Sequence, residues 1–308
     1  MDINDRRGLK RSAREALAGA SYDPKKLILL YTGAMIALSL LLALVDHVLE
    51  AQIGNTGGLS GMGMRSVLET VQTVLMLGQM VALIFWQIGY VFVSMQISRG
   101  QPVGPESLLE GFRRFGPVLR LRLSLTAQYL GIGMISMYGA SILLSVSPIA
   151  APLLEAFNSG SEAALLEAMD QMMLPFLGAM AIAFLVIAVP YIYRLRLAEF
   201  TLMDDPKGGA LRAVRNSRVL MQRNRFKLLK LDVSFWWFYL CEMLVMVLAY
   251  GDYILPLFGI QLPWSGDVSY YAFLVLSYLC QLALYWWKGN DVQVTYAKFY
   301  DALLPKEE

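Results

Sequence analysis

The chain contains 308 residues, of which 57% are hydrophobic and 16% charged, and its formal net charge is +2. A mean hydropathy of +0.51 excludes an ordinary soluble protein of this length. The single histidine, His47, excludes a multi-histidine metal centre and argues against a serine–histidine–aspartate hydrolase. Cys241 and Cys280 lie within apolar runs, which is typical of neither a disulfide framework nor a metal site. We therefore expect no metal, no cofactor and no enzymatic activity.

In chain order, the sequence alternates basic amphipathic segments with pairs of long apolar runs. Residues 1–20, 107–115 and 208–222 carry apolar side chains at helical spacing among lysines and arginines. Each segment precedes two apolar runs of the length that spans a bilayer, roughly 20 residues. The six runs cover about residues 27–49, 67–97, 118–146, 174–197, 228–250 and 270–287. Pro190 is expected to kink the fourth run.

Two of the connecting loops have recognisable patterns. Residues 50–64 are rich in glycine and lack a Gly-Lys-Ser/Thr ending, which predicts a flexible linker rather than a phosphate-binding loop. Residues 163–172 predict a short helix of their own, separate from the apolar run that follows.

The third amphipathic segment concentrates positive charge on one side of a helix. Its apolar side consists of Ala210, Leu211, Val214 and Met221, and its basic side of Arg212, Arg215 and Arg223. Arg218 falls near the apolar side, where it must pair or extend its guanidinium toward water. We expect these four arginines to lie at the membrane surface and to attract anionic lipid.

The charge distribution predicts the orientation in the membrane. The segments 1–26, 99–122, 194–230 and 288–308 hold 25 of the 26 lysines and arginines. The opposite loops hold only Arg65, together with nine aspartates and glutamates. By the positive-inside rule, both termini and the basic linker face the cytoplasm.

A repeat of about 100 residues divides the chain. Gly89-Tyr90, Pro190-Tyr191 and Gly289-Asn290 occupy equivalent places in three units, which cover residues 1–103, 104–206 and 207–308 of a single membrane domain. The predicted fold is an all-α integral membrane protein in which six transmembrane helices form three repeated hairpins. A cytoplasmic amphipathic helix precedes each hairpin.

Three polar side chains within the apolar runs are candidate site residues: Glu242, Gln281 and Gln79. Glu242 falls midway along the fifth run, at the depth of residues 278–281, where an ionised carboxylate is costly. One hypothesis is a cation, proton or substrate site. The alternative, which we favour, is a protonated or tyrosine-bonded carboxyl that holds helices together.

A second candidate cluster is predicted at the cytoplasmic ends of the helices. It consists of Arg194, Arg196, Glu199, Asp232, Lys288 and Asp291. Lys288 and Asp291 are three residues apart on one helix and can pair. The cluster lines a cavity or gate in one interpretation. In the favoured interpretation it is an ion-pair network that joins the repeats.

Several stretches resemble a known family. They are residues 197–200 (Leu-Ala-Glu-Phe), 204–206 (Asp-Asp-Pro), 213–218, 230–235 and 295–300. They are similar to the domain of unknown function 975 family of bacterial multi-pass membrane proteins, and the resemblance covers the full length. Gly289-Asn290 stands where the family typically has Pro-Tyr. The family is similar in build to the membrane domain of some glycerophosphodiester phosphodiesterases. The resemblance implies a bacterial plasma-membrane protein and supplies no catalytic residues.

Two functions remain open. The first choice is a membrane scaffold that binds anionic lipids, and with them a membrane-protein partner or a second copy of the chain. The alternative is a small-molecule or ion transporter with a site around Glu242 and the Lys288/Asp291 cluster. Nucleic acid is not expected as a partner, because the basic linker lacks interleaved aromatic residues.

Overall fold

The computed structural model describes residues 4–55, 62–257, 259–260 and 266–305, and every regular element within them is a helix. The α-helices are α1 (Arg6–Ala18), α2 (Pro24–Asn55), α3 (Met62–Ser98), α4 (Glu110–Arg113), α5 (Phe115–Ser145), α6 (Ala151–Ser159), α7 (Glu162–Ala183), α8 (Val189–Leu195), α9 (Ala198–Asp204), α10 (Gly209–Met221), α11 (Arg225–Val233), α12 (Trp236–Ala249), α13 (Gly251–Leu257), α14 (Gly266–Leu284) and α15 (Asn290–Asp301). Two π-helical segments, Phe184–Ala188 and Tyr285–Gly289, continue α7 and α14. Of the glycine-rich linker predicted at residues 50–64, residues 56–61 lie outside the described residues, while 50–55 belong to α2 and 62–64 to α3.

Five stretches of the described chain are long and apolar enough to cross a membrane. They are Pro24–Ile53, Gly63–Ser98, Phe115–Ser145, Glu162–Asp204 and Val268–Asp301. A sixth is formed if α11 and α12, which are bent by 66° relative to each other, count as one span. The prediction of an all-α, multi-pass membrane protein is confirmed at the level of five or six spanning helices.

The fourth apolar run differs from its prediction. The expected separate helix at 163–172 and the following span are continuous, because α7 passes through Pro175 without ending. The π-helical segment Phe184–Ala188 then leads into α8, which has Pro190 in its first turn. Since proline removes a backbone donor, a widened turn just before it is an ordinary way to absorb the lost hydrogen bond.

The fifth run, predicted as one span over 228–250, is broken at Ser234 and Phe235. The Ser234 hydroxyl donates to the backbone oxygen of Leu231 at 2.6 Å. The Ser234 carbonyl accepts from Lys10 Nζ at 2.9 Å. Because this carbonyl bonds to a side chain of α1 instead of to the next turn, the chain can change direction between α11 and α12.

The described chain divides by contacts into two units. Unit 1 comprises Met1–Phe115 with Leu229–Glu308, and unit 2 comprises Gly116–Leu228. In unit 1, α2 packs along α3, and α12 packs along α14. Its best-buried core lies where α15 packs against α1 and α3 and buries Leu9, Ala13 and Phe299 completely. The sequence-based division into three repeats stays a prediction.

Close backbone packing in unit 1 requires glycine at two positions. The predicted second amphipathic helix, 107–115, is instead a 3-10 turn, Pro105–Leu109, followed by the short α4. A Cβ atom at Gly89 of α3 would lie 1.8 Å from the backbone oxygen of Leu108. One at Gly111 of α4 would lie 2.0 Å from the backbone oxygen of Phe85. The turn therefore rests directly on the backbone of α3.

In unit 2, α10 packs on α8 and α9. The Thr201 hydroxyl donates to the backbone oxygen of Ala213, and the Ser217 hydroxyl donates to that of Arg194, both at 2.9 Å. Small side chains therefore face the neighbouring helices. Leu211, which the helical wheel groups with the apolar side, instead points outward and is 76% exposed.

Candidate functional site

A cavity of about 180 Å³ lies between α2 and α14 in unit 1. Its polar lining comes from Tyr31, Thr32 and Ser39 on one side and from Tyr278, Gln281 and Tyr285 on the other. The Thr32 hydroxyl is buried and has no hydrogen-bond partner among the described residues. The cavity is therefore a polar space within helices of membrane-spanning length.

Of the three predicted intramembrane residues, one lines this cavity and the other two bond to residues that line it. Gln281 lines it directly. Gln79 reaches it through Ser39, because its Nε2 donates to the Ser39 hydroxyl at 3.1 Å. Glu242 reaches it through Tyr285, whose hydroxyl donates to Glu242 Oε1 at 2.6 Å. This hydrogen bond is of the kind described by the favoured hypothesis, a tyrosine-bonded carboxyl that holds helices together. The donor, Tyr285, lies one turn beyond residues 278–281, which were expected at the depth of Glu242.

A neighbouring polar group was not foreseen from the sequence. The Tyr90 hydroxyl donates to Asn290 Oδ1, and Asn290 Nδ2 donates to the backbone oxygen of Pro24 at 2.7 Å. Tyr31 stacks on Tyr90 with ring centroids 4.4 Å apart. Tyr90 and Asn290 occupy equivalent places in the predicted repeat, and this equivalence was the only available signal.

The predicted cytoplasmic-end cluster has members in both contact units. Arg194, Arg196 and Glu199 belong to unit 2, and Asp232, Lys288 and Asp291 belong to unit 1. Glu199 pairs with Arg122, which the sequence analysis did not single out, at 2.9 Å.

Within unit 1, Asp232 joins three helices. Its Oδ1 accepts from the Tyr296 hydroxyl at 2.5 Å, and Tyr296 in turn shares a hydrogen bond with the Tyr239 hydroxyl. This network connects α11, α12 and α15. The aspartate and Tyr296 both lie in stretches that carry the family resemblance, but nothing in their spacing predicts the contact.

Lys288 and Asp291 form the predicted pair, with Nζ and Oδ2 2.9 Å apart. Two residues of α1 that the prediction omitted join them. Arg14 Nε lies 3.7 Å from Asp291 Oδ2, and Lys10 lines the same small cavity. Burial, followed by repulsion from Arg14, lowers the pKa of Lys10 below its ordinary value.

The four arginines predicted to face lipid lie on the outside of unit 2, three of them on α10 and Arg223 two residues beyond its end. Arg212 pairs loosely with Asp205 at 3.5 Å. Arg218 donates to Gln128 and to the Tyr191 hydroxyl, so it pairs, as its place on the wheel required. Arg215 and Arg223 are exposed. Leu211 and Val219, which are 76% and 65% exposed, lie on the same outward surface.

Comparisons with curated proteins and with solved structures return no match. A family model described as "Protein of unknown function (DUF975)" matches residues 1–307. The match covers both contact units and every helix described above. The chain therefore belongs to this family.

Proposed function

We propose that the protein is a scaffold of the bacterial plasma membrane that binds anionic lipid at its cytoplasmic surface. The observation that supports a structural role is that three half-buried carboxylates bond to side chains on other helices. Glu242 bonds to Tyr285, Asp232 to Tyr296, and Glu199 to Arg122. Such bonds between membrane helices contribute about 0.6 to 2 kcal/mol each. They hold the helices in one arrangement.

The proposed orientation places both termini in the cytoplasm, with six spans arranged as three hairpins. Nearly all basic residues then face the anionic cytoplasmic leaflet. A membrane-protein partner or a second copy of the chain would pack on the outward apolar faces of the long helices. Catalysis has no part in this proposal.

The outward surface of α10 supports the lipid-binding part. Arginines and large apolar side chains are mixed there, with Leu211 and Val219 exposed beside Arg212 and Arg215. A helix that lies in the headgroup region has this composition, because the apolar side chains enter the acyl boundary while the arginines contact phosphates. Each basic side chain near an anionic surface contributes about 1 kcal/mol.

The proposed contact can be measured with the full chain in lipid nanodiscs. An environment-sensitive fluorophore is attached at Val219→Cys in a background where Cys241 and Cys280 are alanine. We expect a blue-shifted spectrum in phosphatidylglycerol discs and a weaker shift in phosphatidylcholine discs. Reversal of Arg212, Arg215 and Arg223 to glutamate should remove the difference, whereas lysine at the same positions should keep it. Identical spectra in both lipids for the unreversed chain would contradict the proposal.

Transport of a small molecule or ion is the second candidate. One observation favours it: the cavity of about 180 Å³ contains Gln281 and the unpartnered Thr32 hydroxyl. A cavity with an unsatisfied polar group can hold a small polar ligand or water. The two functions differ in whether this cavity connects to bulk water.

A further inference from the structure

We infer that a small pocket between α1, the α11–α12 break and the start of α15 binds a phosphate group. The pocket, of about 80 Å³, is lined by the basic residues Lys10, Arg14 and Lys288, by Asp291, and by the rings of Phe235 and Trp237. This inference rests on the proposed function, in which these basic residues face a lipid surface, and it names one site there.

The charge of the pocket calls for an anion. Three basic side chains surround a single carboxylate, so the lining has an excess of two positive charges. The carboxylate of Asp291 is already engaged by Lys288 at 2.9 Å. Arg14 reaches it only at 3.7 Å, and the Arg14 side chain is 65% exposed. Arg14 can therefore turn to another acceptor at small cost, because exposed pairs of this kind contribute little.

Lys10 is fixed in position to donate. Its Nζ bonds to the Ser234 carbonyl at 2.9 Å and lies 3.8 Å from the centroid of the Phe235 ring. An ammonium has three N–H donors, of which the carbonyl takes one. Burial and the neighbouring Arg14 lower the pKa of this lysine and so disfavour its charged form. A bound anion would favour the charged form of Lys10 and so offset both burial and the repulsion from Arg14.

Size and surroundings indicate the class of ligand. A volume of about 80 Å³ corresponds to two or three water molecules at about 30 Å³ each, which is enough for a phosphate group and too little for a nucleotide or a sugar. Tryptophans are common at the headgroup level of membranes. Trp237 lines the pocket, and the ring of Trp287 packs against the Trp237 ring with centroids 5.4 Å apart. A lipid headgroup and free phosphate share this chemistry.

The test measures binding to the purified full chain in a neutral detergent, with phosphatidylglycerol and inorganic phosphate as separate probes. Replacing Lys10 and Lys288 with glutamine should weaken binding by about tenfold for each charge-assisted bond lost. Asp291→Asn removes the competing carboxylate and should tighten binding. A gain of affinity cannot come from misfolding, so this variant controls for structural damage.

The outcomes separate the sources and the two proposals. If only phosphatidylglycerol binding is weakened by the lysine substitutions, the site takes a lipid headgroup. If binding of inorganic phosphate is weakened to the same extent, the site takes a soluble anion. Binding that is unchanged in the Lys10 and Lys288 variants, or not tightened by Asp291→Asn, would overturn the inference. Because α10 is intact in these variants, that result would leave the Val219 fluorescence test of the proposed function unaffected. Failure of the fluorescence test would contradict the proposed lipid contact of α10, and it is a separate readout from phosphate binding at the pocket.

Discussion

Three tyrosines of unit 1 donate their hydroxyls to polar acceptors on other helices. Tyr285 donates to Glu242, Tyr296 to Asp232, and Tyr90 to Asn290. A buried tyrosine hydroxyl or carboxyl without a partner is costly, so each pair satisfies two groups at once.

The Tyr285–Glu242 pair leads to a prediction about stability. Tyr285→Phe should lower the free energy of unfolding by about 1 to 3 kcal/mol, because the Glu242 carboxyl loses its tyrosine donor. Glu242→Gln should cost less, since the amide oxygen can still accept from the hydroxyl. Thermal unfolding in detergent measures both.

Tyr278→Phe is the matched control, because Tyr278 lies on the same helix and lines the same cavity. If it destabilises the protein as much as Tyr285→Phe does, the hydrogen bond to Glu242 is not what the substitution removes. A larger loss for Glu242→Gln than for Tyr285→Phe would indicate an ionised, paired carboxylate.

At the residue scale, the sequence indicates which polar groups are unusual but not what they bond to. Glu242 is conspicuous because it interrupts an apolar run. Its partner is Tyr285 rather than residues 278–281, because the register of α12 against α14 depends on the connection between them. A register difference of one turn moves a contact by about 5.4 Å. Lys10 and Arg14 were missed as site residues because only tertiary packing brings α1 to Asp291.

At the scale of helices, the 3-10 turn Pro105–Leu109 packs on the backbone of α3 at Gly89. Gly89→Ala should destabilise the protein by about 1 to 3 kcal/mol or more, because the added methyl meets a backbone oxygen that cannot rotate away. Gly111→Ala should act in the same direction. Denaturation in detergent, followed by helical circular dichroism, measures the loss.

Gly78→Ala provides the control on the same helix. No atom lies within 4 Å of a Cβ placed there. Alanine should leave stability unchanged or raise it by up to about 1 kcal/mol through helix propensity. Equal destabilisation by Gly78→Ala and Gly89→Ala would contradict the close packing of the turn on α3.

The bounds of three apolar runs were predictable at this scale, but the break in the fifth run and the length of α7 were not. The observed bounds of α2, α3 and α5 lie within six residues of those predicted from hydropathy, because a bilayer requires long apolar helices. At the break, the Ser234 carbonyl accepts a hydrogen bond from the Lys10 side chain, which is far away in sequence. The length of α7 depends on Pro175 being tolerated within a helix. Neither feature has a local sequence signal.

For the whole molecule, the number of spans determines the side on which the C-terminus lies. Six spans place both termini on one side, and five place them on opposite sides. The described helices give five spans, or six if the bent pair α11–α12 crosses the membrane. The positive-inside pattern predicts six, because 25 of the 26 basic residues then face the cytoplasm.

Fusing a reporter after residue 308 tests this count. We expect the green fluorescent protein fusion to fluoresce and the alkaline phosphatase fusion to be inactive, because this is how the two reporters behave in the cytoplasm. The same pair fused after residue 160, in the acidic loop between the third and fourth spans, should give the opposite result. An active phosphatase at residue 308 would mean that α11–α12 does not cross the membrane.

The most direct test of the scaffold role is the aqueous accessibility of the polar cavity. Thr32→Cys and Gln281→Cys, each in a background with Cys241 and Cys280 replaced by alanine, are exposed to a membrane-impermeant thiol reagent from each side. Asp291→Cys serves as the accessible control. A scaffold with a closed interior predicts protection at both cavity positions and labelling at residue 291 from the cytoplasmic side. Labelling at Thr32→Cys or Gln281→Cys would show a water-filled path, contradict the scaffold and favour transport.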